Sequence, residues 1–268
     1  MIQELEKGKL NNSYRHIKPE PGDKVFAFSG ENVFIHKDKE NMTFSPEELK
    51  GEKTYLFAIE DTKYFLSLEK PEEDMAEEVP VRSLRYNPDR TFVFALYTAF
   101  HLYQWYRDNQ YCGRCGRKMN HDIVERMMKC SCGNRAYPKI SPAIIVAVTD
   151  KNERIVLTKY SGRAYKRYAL IAGFTEIGET AEETVAREVM EEVGLKVKNI
   201  RYYKSQPWGT DCDLLLGFTC EVDGDDTITM DADELSVAEW VRREDMETED
   251  DGLSLTGELM RMFKENRL

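Results

Sequence analysis

No run of residues in this sequence approaches the ~18 consecutive apolar positions that a membrane span requires. The opening residues, MIQELEKGKLNNSYRH, lack the apolar core of a secretory signal. Both absences set the expectation of a cytoplasmic protein with no membrane partner. Pro/Gly-rich and Gln/Ser-rich tracts are also missing, which leaves no basis for long disorder. Positive charge is in short supply: 38 Lys and Arg face 49 Asp and Glu, a net charge of -11. A chain this acidic repels polyphosphate at long range, which argues against an extended basic track for nucleic acid. Local basic patches stay open, and divalent cations can screen the approach of a phosphorylated substrate. No internal repeat is visible.

What is present fits one large or two modest cored domains: 268 residues, 41% hydrophobic and 32% charged. Residues 1 to about 86 read as a strand-rich unit, in which YLFAIEDTKYFLSL (55–68) predicts a hairpin turning at EDTK. PEEDMAEEVP (71–80), charged and bounded by prolines, reads as an exposed connection. The segment that follows predicts a helix, with Asn87 or Asp89 as cap, Pro88 near the first turn, and Val93, Leu96, Phe100 and Tyr103 at helical spacing. From 139 onward strands and helices alternate. AIIVAVT (143–149), RIVLTKY (154–160) and LLLGFTCEV (214–222) read as strands, while 179–193 and TGELMRMFKENRL (256–268) read as helices. The expected layout is 1–95, 96–138 with the helix and a metal-bound insert, and 139–268 as an α+β or α/β/α catalytic half.

Six cysteines are present, and four of them cluster: Cys112, Cys115, Cys130 and Cys132. In a reducing compartment such a cluster reads as a metal site before it reads as disulfides. CGRCGRKMNHDIVERMMKCSCG spaces them as Cys-x-x-Cys, fourteen residues, then Cys-x-Cys. Gly113 and Gly116 suit a knuckle whose backbone amides point at a thiolate, and four sulfurs suit tetrahedral Zn²⁺. The second pair is one residue shorter than the usual Cys-x-x-Cys, and His121 is the substitute ligand. A closed four-cysteine site would stabilise a small fold and leave no position for water. Redox cysteines and a metal-free cluster are the alternatives. Cys212 and Cys220 stand apart as ordinary strand or loop residues.

GFTEIGETAEETVAREVMEEVGL (173–195) holds seven glutamates. A helix begun near Glu179 and projected at about 100° per residue puts Glu188 and Glu192 on one stripe with Glu191 flanking it. Val185, Val189 and Val193 form the adjoining apolar stripe. Two carboxylates ~5 Å apart repel by roughly 3 kcal/mol at an effective dielectric of about 20, so a third needs compensation, most simply by divalent cations. Spacing alone leaves a second reading open, a solvated face whose glutamates raise helix propensity.

The segment also matches the Nudix box, G-x5-E-x7-R-E-U-x-E-E-x-G-U with U apolar, through Gly173, Glu179, Arg187-Glu188, Glu191-Glu192 and Gly194-Leu195. The chain thereby resembles the Nudix hydrolases. That resemblance implies an α/β/α sandwich with a mixed β-sheet, here preceded by a zinc ribbon and a strand-rich N-terminal domain. It also implies cleavage of a nucleoside diphosphate linked to another group. Glu188, Glu191 and Glu192 would bind Mg²⁺ or Mn²⁺, Arg187 would orient them, and Glu179 would support the loop or a metal-bound water.

SQPWGTDCD (205–213) is similar to the S-Q-P-W-P-F-P-x-S signature of the NADH pyrophosphatases, the Nudix hydrolases that carry a zinc ribbon, and YPKISP (137–142) to their Y-P-x-I-x-P run. Carried over by position, Gln206, Pro207 and Trp208 would shape the dinucleotide pocket, and Glu125 and Tyr137 would contact substrate. Glu234 would be a further metal ligand, Ala172 would offer a backbone carbonyl to a metal, and Arg85 would reach the substrate from the N-terminal side. After Trp208 the sequence departs from the signature: Gly-Thr-Asp-Cys-Asp stands where the family has Pro-Phe-Pro-x-Ser. An aromatic that could stack on a base is lost, and Asp211 and Asp213 are gained, either to bond ribose hydroxyls or to end the loop. The implied activity is hydrolysis of NADH and NAD⁺ to nicotinamide mononucleotide and AMP, with removal of NAD caps from RNA as the same bond cleavage. Homodimerisation is the family habit. The alternatives are a broader dinucleotide or ADP-sugar pyrophosphatase, favoured by the altered loop, and a non-catalytic nucleotide sensor.

Overall fold

The structure, a computed structural model, describes residues 1–268 apart from 7, 39–41, 163–166 and 248–251. The described residues form two compact units: Glu4–Lys139 with Trp208–Cys212, and Ile140–Pro207 with Asp213–Leu268 and Met1–Gln3.

In the N-terminal unit β1 (Leu10–Asn11), β2 (Lys24–Ser29), β3 (Asn32–His36), β4 (Lys53–Ile59), β5 (Thr62–Ser67) and β6 (Ala76–Pro80) make one sheet in the order β1-β4-β5-β2-β3-β6. The hairpin expected over 55–68 is β4–β5, but its turn is two residues, Glu60 and Asp61, with Ile59 paired to Thr62. Glu60 takes the left-handed conformation (φ 51°), which suits the twist of a tight hairpin. The charged stretch 71–80 is a connection only in part. Ala76–Pro80 pair antiparallel with β3 as an edge strand, whose exposed Glu77 and Glu78 fit a position where charge blocks further pairing.

Helix α1 (Arg90–Asp108) packs on β2, β4 and β5. Asp89 is its cap, accepting from the Phe92 amide at 3.0 Å, so Pro88 precedes the helix. The contact layer is aromatic: Phe28 stacks on Tyr103 at 4.9 Å, and Phe26 lies 6.1 Å from Phe92. A ribbon follows, with β7 (Asn120–His121), β8 (Met128–Lys129) and β9 (Arg135–Ala136) antiparallel.

The C-terminal unit is a three-layer α/β/α sandwich on a mixed sheet. Its strands are β10 (Ser141–Thr149), β11 (Arg154–Tyr160), β12 (Ile171–Phe174), β13 (Val197–Trp208), β14 (Asp213–Val222) and β15 (Leu235–Arg242). They run in the order β13-β14-β10-β11-β15, with β12 added on β10. Strand β10 is parallel to β14 from Ser141↔Asp213 to Thr149↔Glu221 and antiparallel to β12. Its run AIIVAV is apolar without alternation because both faces are covered. Ile144, Val146 and Val148 join the core of helix α2 (Ala181–Val193) through Val185, Val189 and Val193, all of them fully buried or nearly so. Ile145 and Ala147 join Leu255, Leu259 and Phe263 of helix α3 (Leu255–Lys264) on the opposite face. At roughly 1.5–3 kcal/mol per buried aliphatic side chain, the valine stripe is what fixes α2 on the sheet and sets the direction of its acidic face.

Candidate active site and metal centre

The helix expected from Glu179 begins two residues later. Thr180 caps it, its hydroxyl accepting from the Glu183 amide at 3.2 Å while the Glu183 carboxylate accepts from the Thr180 amide at 2.8 Å. Glu179 is thereby left in the loop, where it meets Arg187. The Arg187 guanidinium donates to Glu179 Oε1 at 2.6 Å and Oε2 at 3.0 Å, to Glu188 at 2.7 Å, to Glu191 at 2.8 Å, and to the Phe174 carbonyl at 2.9 Å. One cation thus holds three of the seven acids, and Arg187 bonding draws the Glu179 carboxyl down to about 2. The carboxylate of Glu188 lies against Gly173, where a Cβ would overlap it. That close approach is the physical reason for glycine at the first position of the box.

Glu192 is different. Only 2% of it is exposed, and its Oε2 has no hydrogen-bond partner among the described residues. The other oxygen accepts from the Tyr160 hydroxyl at 3.4 Å, and that hydroxyl also lies 3.4 Å from the Ala172 carbonyl. Burial, then the charges of Glu188 and Glu234, push the Glu192 carboxyl up to about 8. Burial also raises Glu188, against the pull of Arg187. A buried carboxylate with an orphaned oxygen, in the field of two further acids, offers the kind of oxygen donor that a hard divalent cation takes. Glu191 is more exposed and tied to Arg187. The sequence reading missed Tyr160; its place at the end of an apolar strand carried no signal of a polar task.

Among the described residues, the cysteine cluster is the one group of three or more ligand-bearing side chains gathered within 4.8 Å of one another. Cys112 and Cys132 Sγ are 3.7 Å apart, and Cys115 and Cys130 Sγ 3.5 Å. Tetrahedral Zn–S bonds of about 2.3 Å would place sulfurs roughly 3.8 Å apart, so the four fit such a centre. The short Cys-x-Cys pair closes because Gly133 turns at φ 88° and donates to the Cys130 carbonyl at 2.9 Å. Gly116, at φ 72°, does the same for Cys112. The Arg117 guanidinium donates to Cys115 Sγ at 3.4 Å and holds that thiol down to about 6. His121 is outside the group; its ring packs 5.1 Å from Tyr106.

The segment 205–213 is divided between the units. Gln206 is fully buried: its Oε1 accepts from the Leu255 amide at 2.7 Å and its Nε2 donates to the Leu253 carbonyl at 2.7 Å, which anchors the start of α3. Pro207 is exposed and Asp213 buried, at the head of β14. Trp208 sits edge-on to Tyr97 of α1 at 5.7 Å, with the Arg85 guanidinium 5.1 Å over its ring. Gly209 follows because a Cβ there would strike the Tyr97 carbonyl. Asp211 pairs with Arg82 at 2.7 Å, and Cys212 accepts from Gln104 at 3.3 Å. Of the residues that depart from the expected signature, Gly209, Asp211 and Cys212 are therefore spent on α1 and the turn before it. Tyr137 donates to Glu125 at 2.9 Å, so this expected pair meets on the ribbon, and both residues are exposed. Glu234 is exposed, beside Glu188 and Glu192 in charge terms.

Residues 139–261 match the NUDIX domain. The matched stretch contains the α2 acids and Arg187. The chain is 44% identical over 146 residues to two proteins described as NAD-capped RNA hydrolase NudC, from Escherichia coli O9:H4 (strain HS) and Shigella boydii serotype 18 (strain CDC 3083-94 / BS512). The match covers 54% of this chain and 56% of each relative, so the chain spans about half the length of the curated relatives it matches. Among solved structures, a NUDIX hydrolase from Nitrosomonas europaea superposes with a TM-score of 0.50 at 19% identity, over 58% of this chain and 91% of that one. That likeness is one of fold.

Proposed function

We propose that the protein is a divalent-metal-dependent hydrolase that splits the pyrophosphate bond of NADH and NAD⁺ into nicotinamide mononucleotide and AMP. The observation that carries the reading is Glu192, a buried carboxylate with one unpartnered oxygen on the acidic face of the NUDIX helix. Glu188, Glu191, Glu192 and Glu234, with the Ala172 carbonyl, would hold Mg²⁺ or Mn²⁺. When bound, such a cation neutralises charge on the diphosphate oxygens and activates water for in-line attack. Arg187 keeps Glu188 and Glu191 from splaying apart, and Glu179 in turn fixes Arg187 through two hydrogen bonds. The valine stripe docks the helix so that these acids share one side. The four cysteines would hold a structural Zn²⁺ that completes the ribbon fold and leaves no position for water.

Arg85, Glu125, Tyr137, Pro207, Trp208 and Asp213 are assigned to substrate contact, and Gln206 to positioning Pro207 and Trp208, since its own amide is occupied. Removal of an NAD cap from RNA would break the same bond, and the proteins at 44% identity bear that activity in their name. A cytoplasmic homodimer is the assembly the resemblance supports. A second reading, a broader dinucleotide or ADP-sugar pyrophosphatase, is favoured by the Asp211–Arg82 pair, which occupies the loop where the signature places an aromatic. Turnover of NADH, NAD⁺, ADP-ribose, diadenosine polyphosphates and FAD with Mg²⁺ or Mn²⁺ tests both. A clear preference for NADH supports the first; comparable rates across the panel replace it with the second.

A further inference from the structure

The N-terminal unit contains a cleft of ≈ 510 Å³ that none of the α2 residues lines. It lies between the 14–19 loop and the 51–55 segment leading into β4, with His121 of the ribbon on its wall. Two observations mark it as built to receive something. The first is charge. Arg15, Lys18 and Lys53 line it against a single acid, Glu52, in a chain whose net charge is -11. Lys53 donates to the backbone carbonyls of Leu49 and Gly51, so its charge is positioned without being neutralised. Arg15 and Lys18 extend into solvent with no carboxylate partner among the described residues. Like charges gathered without counter-charges repel, and an anion relieves that repulsion.

The second observation is Tyr55. It lines the cleft, is 2% exposed, and its hydroxyl has no hydrogen-bond partner among the described residues. Its ring packs edge-on to Phe65 at 5.5 Å, contact that a phenylalanine would make equally well. A buried hydroxyl left unpaired is destabilising. A polar ligand group bonded to it would remove that cost. Tyr14 supports the wall, its hydroxyl donating to the Asp122 carbonyl at 2.7 Å. The volume lies in the range of about 300–1,000 Å³ typical of small-molecule sites.

We propose that this cleft is a second ligand site, taking a phosphate ester of mononucleotide size, with its phosphate against Arg15, Lys18 and Lys53 and a polar group of its nucleoside on the Tyr55 hydroxyl. Arginine offers a planar fork that matches phosphate geometry, and the lysines add point charge. The assignment goes beyond the pyrophosphatase reading and does not depend on it. The same chemistry is carried by a free mononucleotide and by the phosphorylated end of an oligoribonucleotide.

The test is amide NMR on the full chain in Mg²⁺-free buffer, titrated with AMP, adenosine, inorganic phosphate and a 5′-phosphorylated tetraribonucleotide. AMP should shift residues 14–18 and 51–55 and bind there at least tenfold more tightly than adenosine or phosphate. The double variant Arg15→Ala/Lys18→Ala, at two exposed positions, should weaken that binding at least tenfold. Tyr55→Phe should narrow the gap between AMP and phosphate several-fold. An oligonucleotide that binds tenfold more tightly than AMP identifies a nucleic-acid end as the source, and one that binds equally or less identifies the free nucleotide; either upholds the site. Absence of AMP shifts at both segments overturns it, as do shifts unchanged in the double variant or phosphate binding as tight as AMP. NADH turnover, measured in parallel, reports on the pyrophosphatase reading separately.

Discussion

Replacing Glu192 by glutamine separates two consequences of one buried group. In the protein without divalent cations the carboxyl is pushed from its ordinary 4.5 up to about 8, by burial first and then by Glu188 and Glu234. The folded state therefore holds a proton between those two values that the unfolded chain releases. A raised folded-state value gives stability that is complete below pH ~4.5 and declines as pH rises toward 8. At about 1.4 kcal/mol per tenfold change in the proton equilibrium, the whole interval amounts to at most about 5 kcal/mol. Relaxation of the site and water entry reduce this to about half in urea unfolding, roughly 2 kcal/mol. Glutamine keeps the shape and an oxygen for Tyr160 but cannot ionise. Glu192→Gln should therefore match the parent at pH 5, exceed it by about 2 kcal/mol at pH 9, and flatten the pH profile of stability between those values. With Mg²⁺ or Mn²⁺ added, the same variant should lose at least a hundredfold in kcat on NADH. A variant whose stability profile parallels the parent refutes the burial argument, and one that keeps a tenth of the turnover refutes the metal role.

Two further outcomes follow from the geometry. Gly173→Ala places a Cβ where the Glu188 carboxylate now lies, so kcat should fall at least tenfold while the urea midpoint moves little, because the displaced carboxylate can swing toward solvent; a fully active variant would show that Glu188 is free to move. Cys132→Ser removes one of four gathered sulfurs and should abolish stoichiometric zinc on elemental analysis and lower the stability of the N-terminal unit by several kcal/mol, whereas zinc retained at one per chain would exclude Cys132 as a ligand.

Strands β10 and β11 are legible in the sequence because most of their length is buried. AIIVAVT and RIVLTKY became β10 and β11 because a strand covered on both faces must be apolar throughout. β13 and β15 lie at the two edges of their sheet and mix exposed with half-buried residues, so VKNIRYYKSQPW and LSVAEWVR present no clean alternation. β6 escaped notice for the same reason, its edge position allowing EEVP in a strand. At the candidate site, helical projection singles out Glu188, Glu191 and Glu192, and the resemblance adds Arg187. Neither could say that Arg187 would bind three acids while Glu192 stayed buried beside Tyr160, since that depends on which side of the helix the sheet covers. The resemblance placed Gln206 near the substrate, yet its amide is consumed by Leu253 and Leu255, partners about fifty residues away that no local pattern reveals.

The backbone passes between the two units at residues 3–4, 139–140, 207–208 and 212–213. No single cut can then yield two self-sufficient fragments. A fragment from 140 to 268 would keep Trp208 and Gly209 but lack the Tyr97 surface against which both are packed, and it would lack the Ile2 amide that donates to the Leu253 carbonyl. Anyone wishing to grow the C-terminal half alone would have to redesign a five-residue loop, or graft a substitute for one helix, before the first expression trial.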